Sequence, residues 1–246
     1  MHFERLVSFL KKSKKLVLFL VEGISDETTF GLVLSNLVHE DLIVRFHIIG
    51  GDLTTRHENN ASNCIAKVVN EVKDFLNKDF YRKSDLFEVI HLVDLDGTFI
   101  SKEHVVFEEN VIPAGSHIFY TNDYIITDHI ENIQKRNEKK SKILEKLSKT
   151  KEVFGNIPYH VYYFSCNLEH VIYNLQNAND VAKYPMAKEM AQQFIEEPMR
   201  FVQFMNSDEI VLKNSYQSSW DEIKKEEKSL KRYSNFNLYL NQFQNN

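Results

Sequence analysis

A chain of 246 residues, 43% hydrophobic and 26% charged, sits in the globular range, which excludes collagen-like, low-complexity and disordered organisation. Its longest apolar run, Leu16 to Val21, is far shorter than the roughly twenty residues of a membrane span, and no signal-peptide cleavage pattern stands at the N-terminus; the expectation is a cytoplasmic protein with no membrane partner. Cys64 and Cys166 are the only two cysteines, too few for a disulfide framework or a structural zinc site, and read as buried thiols.

In chain order, LVLFLV (Leu16 to Val21) is a non-periodic apolar run stopped by Glu22-Gly23, as a buried parallel strand is. Ser25-Asp26-Glu27 offers a helix N-cap with acids in the first turn, and Phe30, Val33, Leu34 and Leu37 recur at helical spacing. Ile43 to Ile49 reads as a second strand ending at Gly50-Gly51-Asp52. Ile65, Val68, Val69, Val72, Phe75 and Leu76 form the stripe of a second helix, and Phe87 to Val93 is a third strand running into Asp94-Leu95-Asp96-Gly97. The alternation predicts an α/β, mostly parallel sheet flanked by helices, with its ligand site at the C-terminal ends of the strands. Val105 to Ile126 reads as extra strands or a hairpin around Pro113-Ala114-Gly115, followed by a basic helix. Tyr159 to Ser165 is a further strand, and Asn167-Leu168-Glu169 opens a helix through Leu175. From about Lys183 only helical patterns remain, one of them charged from Trp220 to Arg232 and continuing towards Phe243. The expected division is residues 1–180 as the α/β domain, with an insertion at about 102–128, and 181–246 as a helical extension packed on it.

Glu22, Asp94 and Asp96 each follow an apolar strand, so a parallel sheet brings all three to one edge. Crowded carboxylates repel, and a hard divalent cation with oxygen ligands, Mg²⁺ or Mn²⁺, relieves that repulsion and binds phosphates. In Asp94-Leu95-Asp96 the i and i+2 acids are expected on one side with the leucine in the core.

Val21-Glu22-Gly23-Ile24-Ser25-Asp26-Glu27 after a strand, followed by Leu92-Val93-Asp94-Leu95-Asp96, resembles the Glu-Gly and Asp-x-Asp motifs of the Toprim domain of topoisomerases, primases and several nuclease groups. Asp26, Gly50-Gly51 and Asn167-Leu168-Glu169 are similar to features of the overcoming-lysogenisation-defect nucleases and the RloB-like proteins of bacterial defence loci. The resemblance covers roughly residues 14–175. It implies a Rossmann-like sheet and a Mg²⁺- or Mn²⁺-dependent nuclease for DNA or RNA, with a partner ATPase as a candidate switch. Asp94 and Asp96 would bind metal, Glu22 would bind metal or act as general acid/base, and Asp26 and Glu169 would complete a second metal position.

Asp94-Leu95-Asp96-Gly97-Thr98 also resembles the first motif of haloacid-dehalogenase-like phosphatases, in which Asp94 would be the nucleophile and Asp96 the acid. That motif normally opens its domain, whereas here two strand–helix units precede it and Glu22-Gly23 is left unexplained, so the nuclease reading is preferred. A catalytically idle scaffold is the third reading. Between Lys135 and Lys151, eight basic residues against Glu138 and Glu145 leave a net charge of +6 on that segment and −11 on the rest of a chain whose total is −5. Lys135, Arg136, Lys139, Lys140 and Lys142 are therefore the candidate nucleic-acid contacts, against the plainer reading of a solvated helix face. The ten histidines show no paired metal-ligand spacing and read as core or surface residues. Tyr159, Tyr162, Tyr163 and Phe164 read as an aromatic core strand, and Gly50-Gly51-Asp52 as a turn that lacks the lysine of a phosphate-binding loop.

Overall fold

Alternating side chains on β1 (Lys15–Val21) enter two separate cores, and the sheet is built from that alternation. The structure is a computed structural model that describes residues 14–244. Leu16, Leu18 and Leu20 pack on one face with α2 (Cys64–Lys78), α3 (Ile130–Ser148) and α7 (Tyr216–Ile223). Val17, Phe19 and Val21 pack on the other with α1 (Ile24–Leu37), α4 (Leu168–Tyr173), α5 (Asp180–Phe194), α6 (Pro198–Met205) and α8 (Asn237–Leu240). A strand covered on both faces needs no polar alternation, which explains the continuous apolar run.

The five-stranded sheet has the order β2-β1-β3-β8-β7, with β2 (Leu42–Ile48), β3 (Leu86–Asp94), β7 (Glu152–Val153) and β8 (Ile157–Phe164). β1, β2, β3 and β8 are mutually parallel, and β7 is the one antiparallel strand, on the outer edge of β8. The fold is therefore α/β with a mostly parallel sheet flanked by helices, compatible with a Rossmann-like arrangement. Within residues 102–128, β4 (Val105–Val106), β5 (Ile118–Tyr120) and β6 (Ile125–Thr127) make a separate small sheet of order β4-β6-β5. It has its own cluster of Ile100, Val105, Ile125, Ile133 and Leu230. Cys64 and Cys166 are buried free thiols, and no helix among the described residues is long and apolar enough to cross a membrane.

Three expected elements differ. The first helix starts at Ile24 with Gly23 as N-cap, and Asp26 reaches back so that its Oδ2 accepts the Gly23 N–H at 2.9 Å. The helix from Asn167 stops at Tyr173 rather than Leu175, because Asn174 takes a left-handed conformation (φ 56) whose N–H caps the last turn. The charged stretch from Trp220 to Phe243 is not one helix. Beyond α7 the chain turns at Glu226 (φ 55), makes a short 3₁₀ turn at Lys228–Leu230 and runs beside the buried C-terminal half of β8, which β7 leaves unpaired, bridging Ser234 to Phe164. Ser165 N–H donates to Tyr233 O at 2.7 Å, Cys166 N–H to Ser229 O at 2.8 Å, and Tyr163 N–H to Asn235 Oδ1 at 2.9 Å. Unpaired strand groups at a buried edge outweigh local helix propensity.

This tail is part of the core. Phe236 is fully buried, with ring centroids 5.4 Å from Phe30, 6.0 Å from Phe164 and 5.7 Å from Tyr239. Phe236→Ala is expected to cost about 3–5 kcal/mol by urea denaturation while unfolding stays one transition.

On β3, Glu88 is a mostly buried acid near the N-terminal end of the strand, away from the cleft, 3.9 Å from His160 Nδ1, and burial pushes its carboxyl up to about 7. Between the unfolded value of about 4.3 and this one the native state holds the extra proton, so Glu88 subtracts stability as pH rises through that window. Glu88→Gln is expected to raise the thermal midpoint at pH 8 and to leave it nearly unchanged at pH 4.5.

Candidate functional site

The C-terminal ends of β1 and β3 open into a cleft of about 590 Å³ whose lining includes Glu22, Asp94, Asp96, Tyr120, Asn167 and Lys183. Glu22 follows the last residue of β1 and Asp94 is the last residue of β3. The two strands are neighbours, and the Asp94 N–H donates to Glu22 Oε1 at 3.3 Å. The alternation that sorts the two cores also sorts the acids. Glu22 lies on the α2/α3 face, near Asp52, Lys140 and Asp96, and Asp94 lies on the α1/α4 face, near Asp26 and Glu169.

The Asp-x-Asp segment reaches the cleft by a turn, not by continued strand. Leu95 is buried, as its spacing predicts, but Asp94 and Asp96 do not share a side as expected: the positive φ of Asp96 swings it to Lys140, opposite the Asp26 and Glu169 side of Asp94. The Leu95 N–H donates to Phe164 O at 2.9 Å and the Asp96 N–H to Cys166 O at 2.7 Å, after which Thr98 N–H closes a turn onto Leu95 O. Asp96 and Gly97 both have positive φ (51 and 67), the pair required by a type I′ turn. A Cβ at Gly97 would lie 2.5 Å from the Leu230 side chain, so only glycine fits there.

Lys140 governs this turn. Its side chain is fully buried and its Nζ lies 2.7 Å from Asp52 Oδ2 and 2.6 Å from Asp96 Oδ2. Burial alone would discharge the amine, but Asp52 and Asp96, with Glu22, hold its proton more firmly than water does. Arg136 Nη2 donates to Asp96 O at 2.8 Å and its Nη1 to the Tyr120 hydroxyl at 3.3 Å, and that hydroxyl donates to Asp96 Oδ1 at 3.4 Å. Burial would raise Asp96, yet Lys140 and then Arg136 keep it below the usual carboxylate range.

Among the described residues, Glu22 and Asp94 have no ion-pair partner. Burial and the charges of Asp52, Asp96 and Asp26 hold Glu22 well above the ordinary value against the pull of Lys140. Burial, then Glu22, Asp26, Asp96 and Glu169, do the same to Asp94. Asp26 is pushed up to about 6, chiefly by burial, despite the Gly23 N–H. Glu169, in the first turn of α4, is buried, while Lys183 brings a cation to the cleft wall beside Glu169 and Asp180.

The donors of the cleft are carboxylate oxygens, and among the described residues no lysine or arginine forms an ion pair with Glu22 or Asp94, so a cation arriving there would displace their protons, a combination suited to Mg²⁺ or Mn²⁺. The residues that fit such an ion are Glu22 and Asp94, with Asp26 and Glu169 on the Asp94 side. Asp96 is engaged by Lys140. These acids do not form a group of three with all ligand atoms within 4.8 Å; among the described residues only His117, Asp128 and His129 do.

The basic helix is a correction. Arg136, Lys139 and Lys140 face inward: Lys139 Nζ donates to the carbonyls of Thr55 and Arg56 at 3.1 and 2.5 Å, and Lys140 has no exposed surface. Lys135 and Lys142 are exposed but paired one turn back with Glu131 and Glu138, at 3.5 and 2.8 Å. The signal was available, because Lys140 sits on the apolar stripe of Ile133, Asn137, Leu144 and Leu147, all buried. Asp52 had a weaker one, an acid directly after a strand-end Gly-Gly. Tyr120 and Lys183 carry no local signal.

No family model, curated protein or solved structure matches this chain.

Lys140→Met is expected to destabilise by about 3–5 kcal/mol in urea denaturation, because it leaves two partly buried carboxylates facing each other without their cation. Adding Asp52→Asn and Asp96→Asn to that variant is expected to recover a large part of the loss.

Proposed function

We propose that the protein is a Mg²⁺- or Mn²⁺-dependent hydrolase of phosphodiester bonds, acting on nucleic acid. The observation that carries this reading is the partly buried Glu22–Asp94 pair, without an ion-pair partner among the described residues, at the C-terminal edge of two adjacent parallel strands, where α/β sheets place their ligands. A divalent cation at such a site neutralises a phosphate and supplies a water that is acidic enough to be deprotonated near neutral pH. Glu22 and Asp94 would hold the ion, and Asp26 and Glu169 would add oxygen donors on the Asp94 side. Asp96, fixed by Lys140 and Arg136, keeps the turn rigid and shapes the cleft floor. Lys183 offsets the charge of an entering phosphate. The resemblance of Glu22-Gly23 and Asp94-Leu95-Asp96 to Toprim motifs supports the same chemistry, and with it a place in nucleic-acid processing or defence with a partner ATPase as switch.

Labelled single- and double-stranded DNA and RNA, incubated with Mn²⁺, are expected to be cut by the wild type. Glu22→Gln and Asp94→Asn are each expected to lower the rate roughly 100-fold or more, and chelation abolishes it. Full activity in both variants would sink the proposal. Hydrolysis of an aryl phosphate that needs Asp94 and ignores Glu22 would move the assignment to an aspartyl-phosphate phosphatase.

A further inference from the structure

A second set of donor atoms lies at one end of the small sheet. Ile118 of β5 pairs with Thr127 of β6, so the next residues outward, His117 and Asp128, stand side by side, and His129 follows as the N-cap of α3. The buried Thr127 hydroxyl donates to His117 O at 2.7 Å and accepts the His129 N–H at 3.0 Å, which ties the backbone on both sides of the group to one point. Asp128 offers one oxygen to each ring: Oδ2 is 2.9 Å from His117 Nδ1 and Oδ1 is 3.7 Å from His129 Nε2. The ring centroids are 4.9 Å apart, and one ligand atom from each residue lies within 4.8 Å of the other two.

Two imidazole nitrogens and one carboxylate oxygen suit a borderline first-row ion better than Mg²⁺, and three protein ligands leave a coordination position for water. The chemistry thus differs from that of the all-oxygen cleft. The place matters as well. Residues 107–117, between β4 and β5, contain no strand or helix and are mostly exposed, and Pro113, Ala114, Gly115 and Ser116 wall the cleft. His117 is the last residue of this segment. Asp128 and His129 stand at the start of α3, the helix whose Arg136 and Lys140 hold Asp96.

We propose that His117, Asp128 and His129 form a transition-metal site, with Zn²⁺ as the ion its donors suit best, which fastens the 107–117 wall of the cleft to the start of α3. The site stands whether or not the cleft hydrolyses phosphodiesters.

The test uses the full chain, stripped with a chelator and titrated with Zn²⁺ or Co²⁺ alone. Zn²⁺ is expected to bind, and Co²⁺ to give visible ligand-field bands. His117→Ala and His129→Ala are each expected to weaken Zn²⁺ binding by at least about 10-fold, the scale on which even outer-shell partners act, and to remove the bands, while Glu22→Gln leaves them in place. All three side chains are exposed, so the variants are expected to keep the wild-type thermal midpoint in chelator. Zn²⁺ is also expected to slow amide hydrogen exchange across 107–120 in the wild type and not in His117→Ala. Unchanged Zn²⁺ affinity and Co²⁺ spectrum in both histidine variants, or loss of the bands in Glu22→Gln, would overturn the site. Binding that needs both histidines yet leaves exchange across 107–120 unaltered would overturn the fastening.

Discussion

The buried ammonium of Lys140, bonded to Asp52 and Asp96, is the one group that joins three segments to a single point, with Lys139 and Arg136 tying the same helix to the two turns on either side. Asp52 lies in the turn after β2, Asp96 in the turn after β3, and Lys140 in the middle of α3. Withdrawing these charges from water costs several kcal/mol per ion, and the pairing offsets that cost only if all three segments hold their places. Asp52 is fixed in turn by Thr54, whose N–H donates to Asp52 Oδ1 at 2.7 Å, and Asp96 by Arg136 and Tyr120. The geometry of the strand-end turns therefore follows from the charge balance around one lysine.

That balance divides the acids into two kinds. Asp52 and Asp96 have a cation and serve to build the cleft. Among the described residues Glu22 and Asp94 have none, and they are held with raised proton affinity, a combination that weakens the fold and is retained where chemistry needs it. Between them runs one hydrogen bond across adjacent strands, from the Asp94 backbone N–H to the Glu22 carboxylate. The pleat places them on opposite faces, so each face of the sheet contributes its own flank of carboxylates, Asp52 and Asp96 on one side and Asp26 and Glu169 on the other.

The walls of the cleft come from parts of the chain far from its motifs. Gln176 Nε2 donates to Thr121 O and Leu230 O at 2.9 and 2.7 Å, and Asn177 pairs with the backbone of Tyr120 through both its N–H and its carbonyl. These amides lock the small sheet, the segment after α4 and the tail to one another. The insertion and the C-terminal part thus enclose the site and share the core beneath it.

What the sequence by itself determined is the part dictated by local pattern. The unbroken apolar run of β1, the largely apolar β3, the helical stripes of α1 and α2, and the acids directly after the strands identify a parallel sheet with carboxylates at one edge, because burial on both faces and the two-residue strand period act within a few residues. Charge sign was misleading for the same reason: a count over Lys135 to Lys151 ignores which side of the helix each lysine occupies, and the 3–4 spacing that puts Lys140 among Ile133, Leu144 and Leu147 was the decisive information. Only the tertiary structure decided which acid receives a cation, where the tail abandons its helix to pair with β8, and that His117 meets Asp128 and His129 across two short strands. Each of these depends on groups dozens of residues apart competing for the same buried space, and desolvation, which settles that competition, is a property of the assembled core.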